Sequence, residues 1–215
     1  MKVVGVVIGL IFFVAGAQAQ ASPETMRFAI TRNGEQIGTH EIAISRNGAE
    51  TSVNLVTDLA VKVLFVTAYR LQWVEKERWV NGRLVALSSQ SDNNGERHSV
   101  SLAAKGSGLE MKVDGNAAQI DANIMPGSFW NPDLLRRSTM LDTKDGQLMA
   151  FTVQDGGQED LSINDQVVRT HHYTIKSRYS QDLWYDDQAR LVQAKFLGSD
   201  GSVIMYSPAL DAAPR

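Results

Sequence analysis

Val61-Lys62-Val63-Leu64-Phe65-Val66-Thr67-Ala68-Tyr69-Arg70-Leu71-Gln72-Trp73-Val74-Glu75-Lys76-Glu77-Arg78-Trp79-Val80, followed at once by Asn81-Gly82, decides the fold. The stretch is rich in β-branched and aromatic residues and holds no Gly or Pro. It ends in a dipeptide suited to a type I′ hairpin turn, which needs positive φ at both central positions. Its side chains sort with period two. The odd face is apolar through Val61, Val63, Phe65, Tyr69, Leu71 and Trp73, then carries Glu75 and Glu77 bracketed by Trp73 and Trp79. As one strand it would reach roughly 65 Å, far beyond the usual length, so it must bend, bulge or wrap a curved sheet.

The same punctuation recurs outward from this stretch. Asn33-Gly34, Asn47-Gly48, Asn94-Gly95, Asp114-Gly115, Asp145-Gly146, Asp155-Gly156 and Asp200-Gly201 are further turn dipeptides. Alternating runs lie between them at 26–30, 37–44, 51–56, 84–88, 99–103, 109–113, 148–153, 167–175, 191–196 and 202–206. The pattern predicts an antiparallel, meandering β protein. One helical signature interrupts it at 131–137. Asn131 can cap, Pro132 suits the first helical position, Asp133 lies in the first turn and arginines close the run.

If Asn81-Gly82 closes a two-residue turn, Val80 faces Arg83, Trp79 faces Leu84, Glu77 faces Ala86 and Glu75 faces Ser88. One face then gathers Trp73, Glu75, Glu77, Trp79, Ser88, Gln90 and Asp92. Two readings follow. The face is a polar–aromatic groove, with carboxylates for acid/base work and indoles for stacking. Or it is a solvated face with tryptophans half-buried at a sheet rim and carboxylates paired to basic neighbours. Asp92-Asn93-Asn94-Gly95-Glu96 lacks the ligand spacing of a calcium loop and reads as a hairpin turn, with Asp92 opposite Arg97. Trp184 either stacks a ligand or anchors the core beside a hairpin.

The chain has 215 residues, 43% hydrophobic, with a formal net charge of -3 and no Cys. That suffices for a packed core, and the charge gives no footprint for nucleic acid. Without Cys there are no disulfides, thiolate nucleophiles or Cys-held clusters. His171 and His172 are adjacent, so on a strand they point to opposite faces and cannot share one metal from one side. No nucleophile-elbow, Walker or dinucleotide glycine pattern is present, and no cofactor is expected.

Residues 1–21 read as a cleaved signal peptide. Met1-Lys2 is the positive n-region, an apolar run follows, and Ala17-Gln18-Ala19 and Ala19-Gln20-Ala21 are cleavage motifs. Cleavage after Ala21 leaves 22–215 as a single all-β domain, not an integral membrane protein. Export without any Cys points to a bacterial periplasm.

Several of these residues resemble an uncharacterised exported bacterial family, domain of unknown function 6134. They are Gln36-Ile37-Gly38, the run from Val63 to Arg70, Glu75, the run from Trp79 to Leu84, and Asp92-Asn93-Asn94-Gly95. Trp130-Asn131 and Leu183-Trp184-Tyr185-Asp186 complete the set. The resemblance implies an exported β protein and carries over no catalytic residue. The C-terminal quarter is also similar, more weakly, to domain of unknown function 3108 and to periplasmic lipoprotein carriers, whose curved sheets wrap acyl chains.

The expected fold is all-β: a curved antiparallel meander sheet, half-barrel or open barrel, with one short helix. Its concave side would be lined by Val61, Val63, Phe65, Tyr69, Leu71 and Trp73. Three functions are consistent with it. One is a non-enzymatic periplasmic binding or carrier protein for an apolar or amphipathic envelope molecule. Its contact candidates are Phe65, Tyr69, Leu71, Trp73, Glu75, Glu77, Trp79, Trp130 and Trp184, and it requires a cavity larger than the helix can plug. The second is a structural envelope protein with a protein partner and no small ligand, which requires a solid core and an exposed apolar patch. The third is an enzyme on envelope glycan or lipid using Glu75, Glu77 or Asp92, which requires a carboxyl buried in a cleft with a raised pKa.

Overall fold

The computed structural model describes residues 23–198 and 200–209. The segment read as a signal peptide lies outside them. Sixteen strands follow one another along the described chain. The first eight are β1 (Glu24–Arg32), β2 (Glu35–Asn47), β3 (Glu50–Val63), β4 (Val66–Val80), β5 (Arg83–Asn93), β6 (Glu96–Lys105), β7 (Gly108–Val113) and β8 (Asn116–Ile120). A short insertion carries β9 (Met125–Pro126), β10 (Thr139–Asp142) and β11 (Gln147–Ala150). The last five are β12 (Thr152–Ile163), β13 (Gln166–Lys176), β14 (Ser180–Asp186), β15 (Leu191–Leu197) and β16 (Val203–Pro208).

Thirteen strands form one antiparallel sheet in the order β12-β13-β14-β15-β16-β1-β2-β3-β4-β5-β6-β7-β8. Every neighbour is a sequence neighbour except at the centre, where β16 pairs with β1. A twisted sheet of this width curls. It is a large curved sheet that does not close into a barrel, and its free edges are β8 and β12. The expected open-barrel meander is thus the observed architecture. The turns obey the expected chemistry: Asn33-Gly34, Asn81-Gly82, Asn94-Gly95 and Asp114-Gly115 have positive φ at both positions.

Period two sorts the side chains. On β3, Val53, Leu55, Thr57 and Leu59 are buried while Asn54, Val56 and Asp58 between them are exposed. The buried residues of the strands meet the apolar residues of the insertion, Ile124, Met125, Leu134, Met140, Leu141 and Phe151, in one continuous core. The insertion, residues 121–151, therefore packs into the concave side as a plug. Each fully buried Leu, Ile or Met there adds about 1.5–3 kcal/mol from its apolar surface. The plug also carries the helical element, a single 3-10 turn over Pro132–Arg136. Asn131 caps it, accepting from the Asp133 amide.

Three expectations need correction. First, the long stretch from Val61 to Val80 is not one strand: it folds back at Leu64-Phe65, where φ is 47° and 69°. No Gly, Asn or Asp marks that turn, so turn chemistry could not reveal it. As a consequence Phe65 and Val63 do not line the concave side; both stand exposed at a hairpin tip. Second, a bulge between Arg78 and Trp79 shifts the β4–β5 register by one residue. Glu75 faces Ser89 and Glu77 faces Leu87, so Ser89 and Ser91 join the inner face in place of Ser88, Gln90 and Asp92. Third, Asp155-Gly156 is not a turn; it is a bulge inside β12.

Gly38 marks where β3 leaves β2. A Cβ there would lie 2.3 Å from the Asp58 carbonyl oxygen, so only glycine allows this approach.

Candidate functional site: a buried carboxylate pair beneath the plug

Leu71, Trp73, Glu75, Glu77 and Trp79 alternate along β4 and all face inward. The expectation of a solvated face fails here. Glu75 is fully buried and Glu77 is 3% exposed. An isolated carboxylate cannot be placed in an apolar interior without donors, and the plug supplies them. Glu77 Oε2 accepts from the Trp79 indole at 2.6 Å and from the Trp130 indole at 2.8 Å. Glu77 Oε1 accepts from the Ser128 hydroxyl at 2.8 Å. Three donors around two oxygens is the acceptor-only arrangement of a carboxylate. The two indoles meet edge to face at 5.7 Å.

Glu75 is held differently. Thr143 Oγ1 donates to its Oε2, and its Oε1 has no partner. Burial first, and the adjacent Glu77 charge second, push its carboxyl well above the usual carboxylate range; Thr143 and Lys144 oppose the rise. The rise favours the neutral form of Glu75, beside a Glu77 whose two oxygens are both taken by donors. The nearest ammonium, Lys144, is committed to Asp142 at 2.6 Å and lies 5.3 Å from the Trp73 ring centroid.

A second polar group borders the first. Trp73 donates to Ser89 Oγ at 2.9 Å, and its ring is parallel to His40 at 6.2 Å. His40 Nδ1 lies 2.7 Å from Thr57 Oγ1, and burial pushes the imidazole down to about 4. Ser91 donates to the Lys144 carbonyl at 2.6 Å, a further tie between β5 and the plug. On the far side, Tyr185 donates its hydroxyl to the Phe129 carbonyl at 2.8 Å. The plug is therefore fastened to both halves of the curved sheet.

The structure thus brings Trp73, Glu75, Glu77, Trp79 and Trp130 together and leaves other candidates outside. Tyr69 is half-buried nearer the rim, its hydroxyl on Asn93 at 2.7 Å, with Leu71 next to it. Phe65 is at the hairpin tip. Trp184 is buried as well, but outside the main core cluster that Leu183 and Tyr185 join; it stacks on His172 at 4.6 Å and donates to Glu159. Asp92 lies at the end of β5 opposite Arg97, beside the hairpin turn as expected: it accepts from Arg97 at 2.7 Å and from the Gly95 amide at 2.8 Å, which hold its carboxyl below the usual range. Ser128 and Thr143, the plug's donors to the pair, escaped sequence reasoning. A single hydroxyl in an irregular segment carries no periodic signal. Among the described residues no group of three His, Asp or Glu is placed to hold a metal ion.

Chemically, this arrangement binds the plug rather than presenting acid and base to solvent, since both carboxyls are sealed. Two clefts open on either side of Pro132. One cleft of about 340 Å3 is bounded by Met26, Ile44, Arg46, Trp130 and Arg190. Another of about 240 Å3 is bounded by Leu135, His171, Tyr173 and Tyr185. Trp130 is at once a wall of the larger cleft and a donor to Glu77.

The sequence profile of a family described as "Domain of unknown function (DUF6134)" matches residues 28–209. No curated protein matches the chain. Among solved structures, the fold is similar to that of a "Beta-barrel-like Protein of Domain of Unknown Function DUF1849 from Brucella abortus". The TM-score is 0.62 at 9% identity, over 89% of this chain and 97% of that one. At that identity the likeness is one of fold.

Proposed function

The chain belongs to the domain of unknown function 6134 family, and on that footing we propose that it is an exported, non-enzymatic binding protein for an apolar or amphipathic envelope molecule. The observation that carries this is the construction of the interior. The concave side of the sheet is largely apolar around the buried Glu75–Glu77 pair, and what fills it is not the sheet's own side chains alone but a separate segment, 121–151. That segment is fastened at a few polar points, chiefly Ser128, Trp130 and Thr143 on the Glu75–Glu77 pair. Clefts open on both sides of its 3-10 turn. A ligand entering beside Pro132 would press first on Trp130, and so on the donor set of Glu77. The plug fills the cavity that this reading requires, so the ligand must displace it; doing so would uncover the strand face beneath, a surface suited to acyl or isoprenoid chains. The expected place of action is the bacterial periplasm, after removal of residues 1–21.

The test is native mass spectrometry of protein purified gently from the envelope of its own host. A reproducible adduct of a lipid-sized molecule, lost when Met26→Trp fills the larger cleft, supports the reading. A bare mass that stays bare after incubation with envelope lipid extract overturns it. One observation favours a second reading. The plug joins the strands in a continuous core, as a structural protein of the envelope without a small ligand requires. A bare mass together with a captured protein partner is the result expected of that reading.

A further inference from the structure

The β3–β4 hairpin is the most unusual surface feature of the molecule. β3 last pairs with β2 at Leu59–Gly38, and β4 first pairs with β5 at Leu71–Asn93. Between those points the two strands pair only with each other, so the hairpin stands beyond the rim by roughly 13 Å. At its end Val63, Leu64, Phe65 and Val66 are all exposed, Leu64 at 87% and Phe65 completely. Single exposed apolar residues are ordinary, but four in succession on a projecting tip are not.

The opposite end of the sheet supplies an internal comparison. The β12–β13 hairpin also runs past its neighbour, since β13 first pairs with β14 at Thr170–Asp186. Its turn is Asn164-Asp165, with φ 48° and 61°. The β3–β4 turn has the same backbone, 47° and 69°, but is built from Leu64 and Phe65. Leucine and phenylalanine are poor residues for positive φ, which Asn, Asp and Gly adopt more cheaply. Turn formation therefore does not account for these side chains, and no other part of the described chain covers them.

We propose that the tip of the β3–β4 hairpin inserts into the headgroup–acyl boundary of an anionic lipid bilayer. Three features favour lipid over a protein groove. The tip is convex and narrow, a wedge that a fluid surface accommodates without a matching cavity. Lys62, directly behind the apolar residues, is exposed and has no ion-pair partner among the described residues, so its ammonium is free for lipid phosphate. Tyr69 and Tyr179 stand near one another at the same end of the sheet; Arg178, over the Tyr179 ring at 5.1 Å, is tied to Asp142 and Asp145 of the plug and does not belong with them. Amphipathic aromatics and long cations are the side chains suited to the water–lipid boundary. Insertion of a few side chains gives reversible attachment, strengthened by anionic lipid. This surface lies apart from the plug and its clefts, so the inference goes beyond the binding function and fails or succeeds separately.

The test is co-sedimentation of the purified protein with vesicles of phosphatidylethanolamine and phosphatidylglycerol, compared with vesicles of phosphatidylcholine alone. The expected result is binding that favours the anionic vesicles, a preference that Lys62→Gln removes. Replacing Leu64→Asn and Phe65→Gly together should weaken binding about tenfold or more. This pair suits the turn backbone, so an unchanged circular dichroism spectrum and an undiminished melting temperature separate loss of insertion from loss of fold. A Phe65→Trp reporter should shift its emission to the blue on adding anionic vesicles. Wild-type protein that stays in the supernatant with both vesicle types overturns the proposal and directs the tip to a protein groove. Undiminished binding by the double variant overturns it as well.

Discussion

Glu75 and Glu77 differ by one pleat and share a face, yet their surroundings ask opposite things of them. Glu77 accepts from three donors, so an amide in its place sets an NH2 against at least one of them. Glu77→Gln is expected to destabilise the fold by about 1–3 kcal/mol. Burial and the neighbouring Glu77 favour the neutral form of Glu75 in the folded state, so Glu75→Gln should cost less than Glu77→Gln. The two variants separate in urea denaturation at pH 7. The pH dependence follows from the same burial. A carboxyl whose folded pKa is raised above its ordinary 4.5 binds its proton more tightly in the folded state. Its contribution is complete below the unfolded value and is lost as pH rises through the folded one. This contribution to wild-type stability should therefore decline as pH rises above about 4.5, and Glu75→Gln should remove that decline. His40 acts on the acid side. Its imidazole is depressed from 6.5 to about 4, so its contribution is present above 6.5 and is lost as pH falls toward about 4. A Glu75→Gln variant that keeps the wild-type decline with rising pH would show that Glu75 is not the group responsible.

At the scale of elements, the β3–β4 hairpin and the plug show where local rules hold and where they are overridden. Most turns are made by Asn-Gly or Asp-Gly, and these are readable directly. The Leu64-Phe65 turn is not, because its backbone contradicts its residue types. Residues suited to that backbone, introduced together as Leu64→Asn and Phe65→Gly, should raise stability by about 1 kcal/mol, seen as a higher urea midpoint. A lower midpoint would mean that the exposed tip is packed in solution after all. The bulge at Arg78 and Trp79 is equally invisible locally: it moves Ser89 and Ser91 inward and Asp92 outward. The plug is the extreme case. Asn131-Pro132-Asp133 announces a turn, and the structure places a 3-10 turn there. Nothing in the local sequence announces that the surrounding segment crosses the concave side and brings Ser128, Trp130 and Thr143 to β4.

For the whole molecule, the sheet's order matters more than any single pair. β16 joins β1, so the first and last strands of the described chain meet in the middle of the sheet and the free edges fall at β8 and β12. An open edge is a template for another strand, and β12 is kept from acting as one by its charges and by the bulge at Gly156. Replacing Gln158→Val and Asp160→Val together should promote self-association, detectable by analytical ultracentrifugation, with little change in the monomer's spectrum. A variant that remains monomeric at high concentration would mean that the bulge alone protects the edge. The β class, most hairpins, the sheet's curvature and the inward face of β4 are all legible in the order of residues. They follow from period-two alternation and turn chemistry, which act over a few neighbouring positions. The burial of Glu75 and Glu77, the reach of Trp130 to Glu77 across 53 positions of chain and the outward projection of Phe65 appear only in the folded molecule. Burial and convergence depend on which distant segments pack together, and period two fixes which face a side chain takes without fixing what covers it.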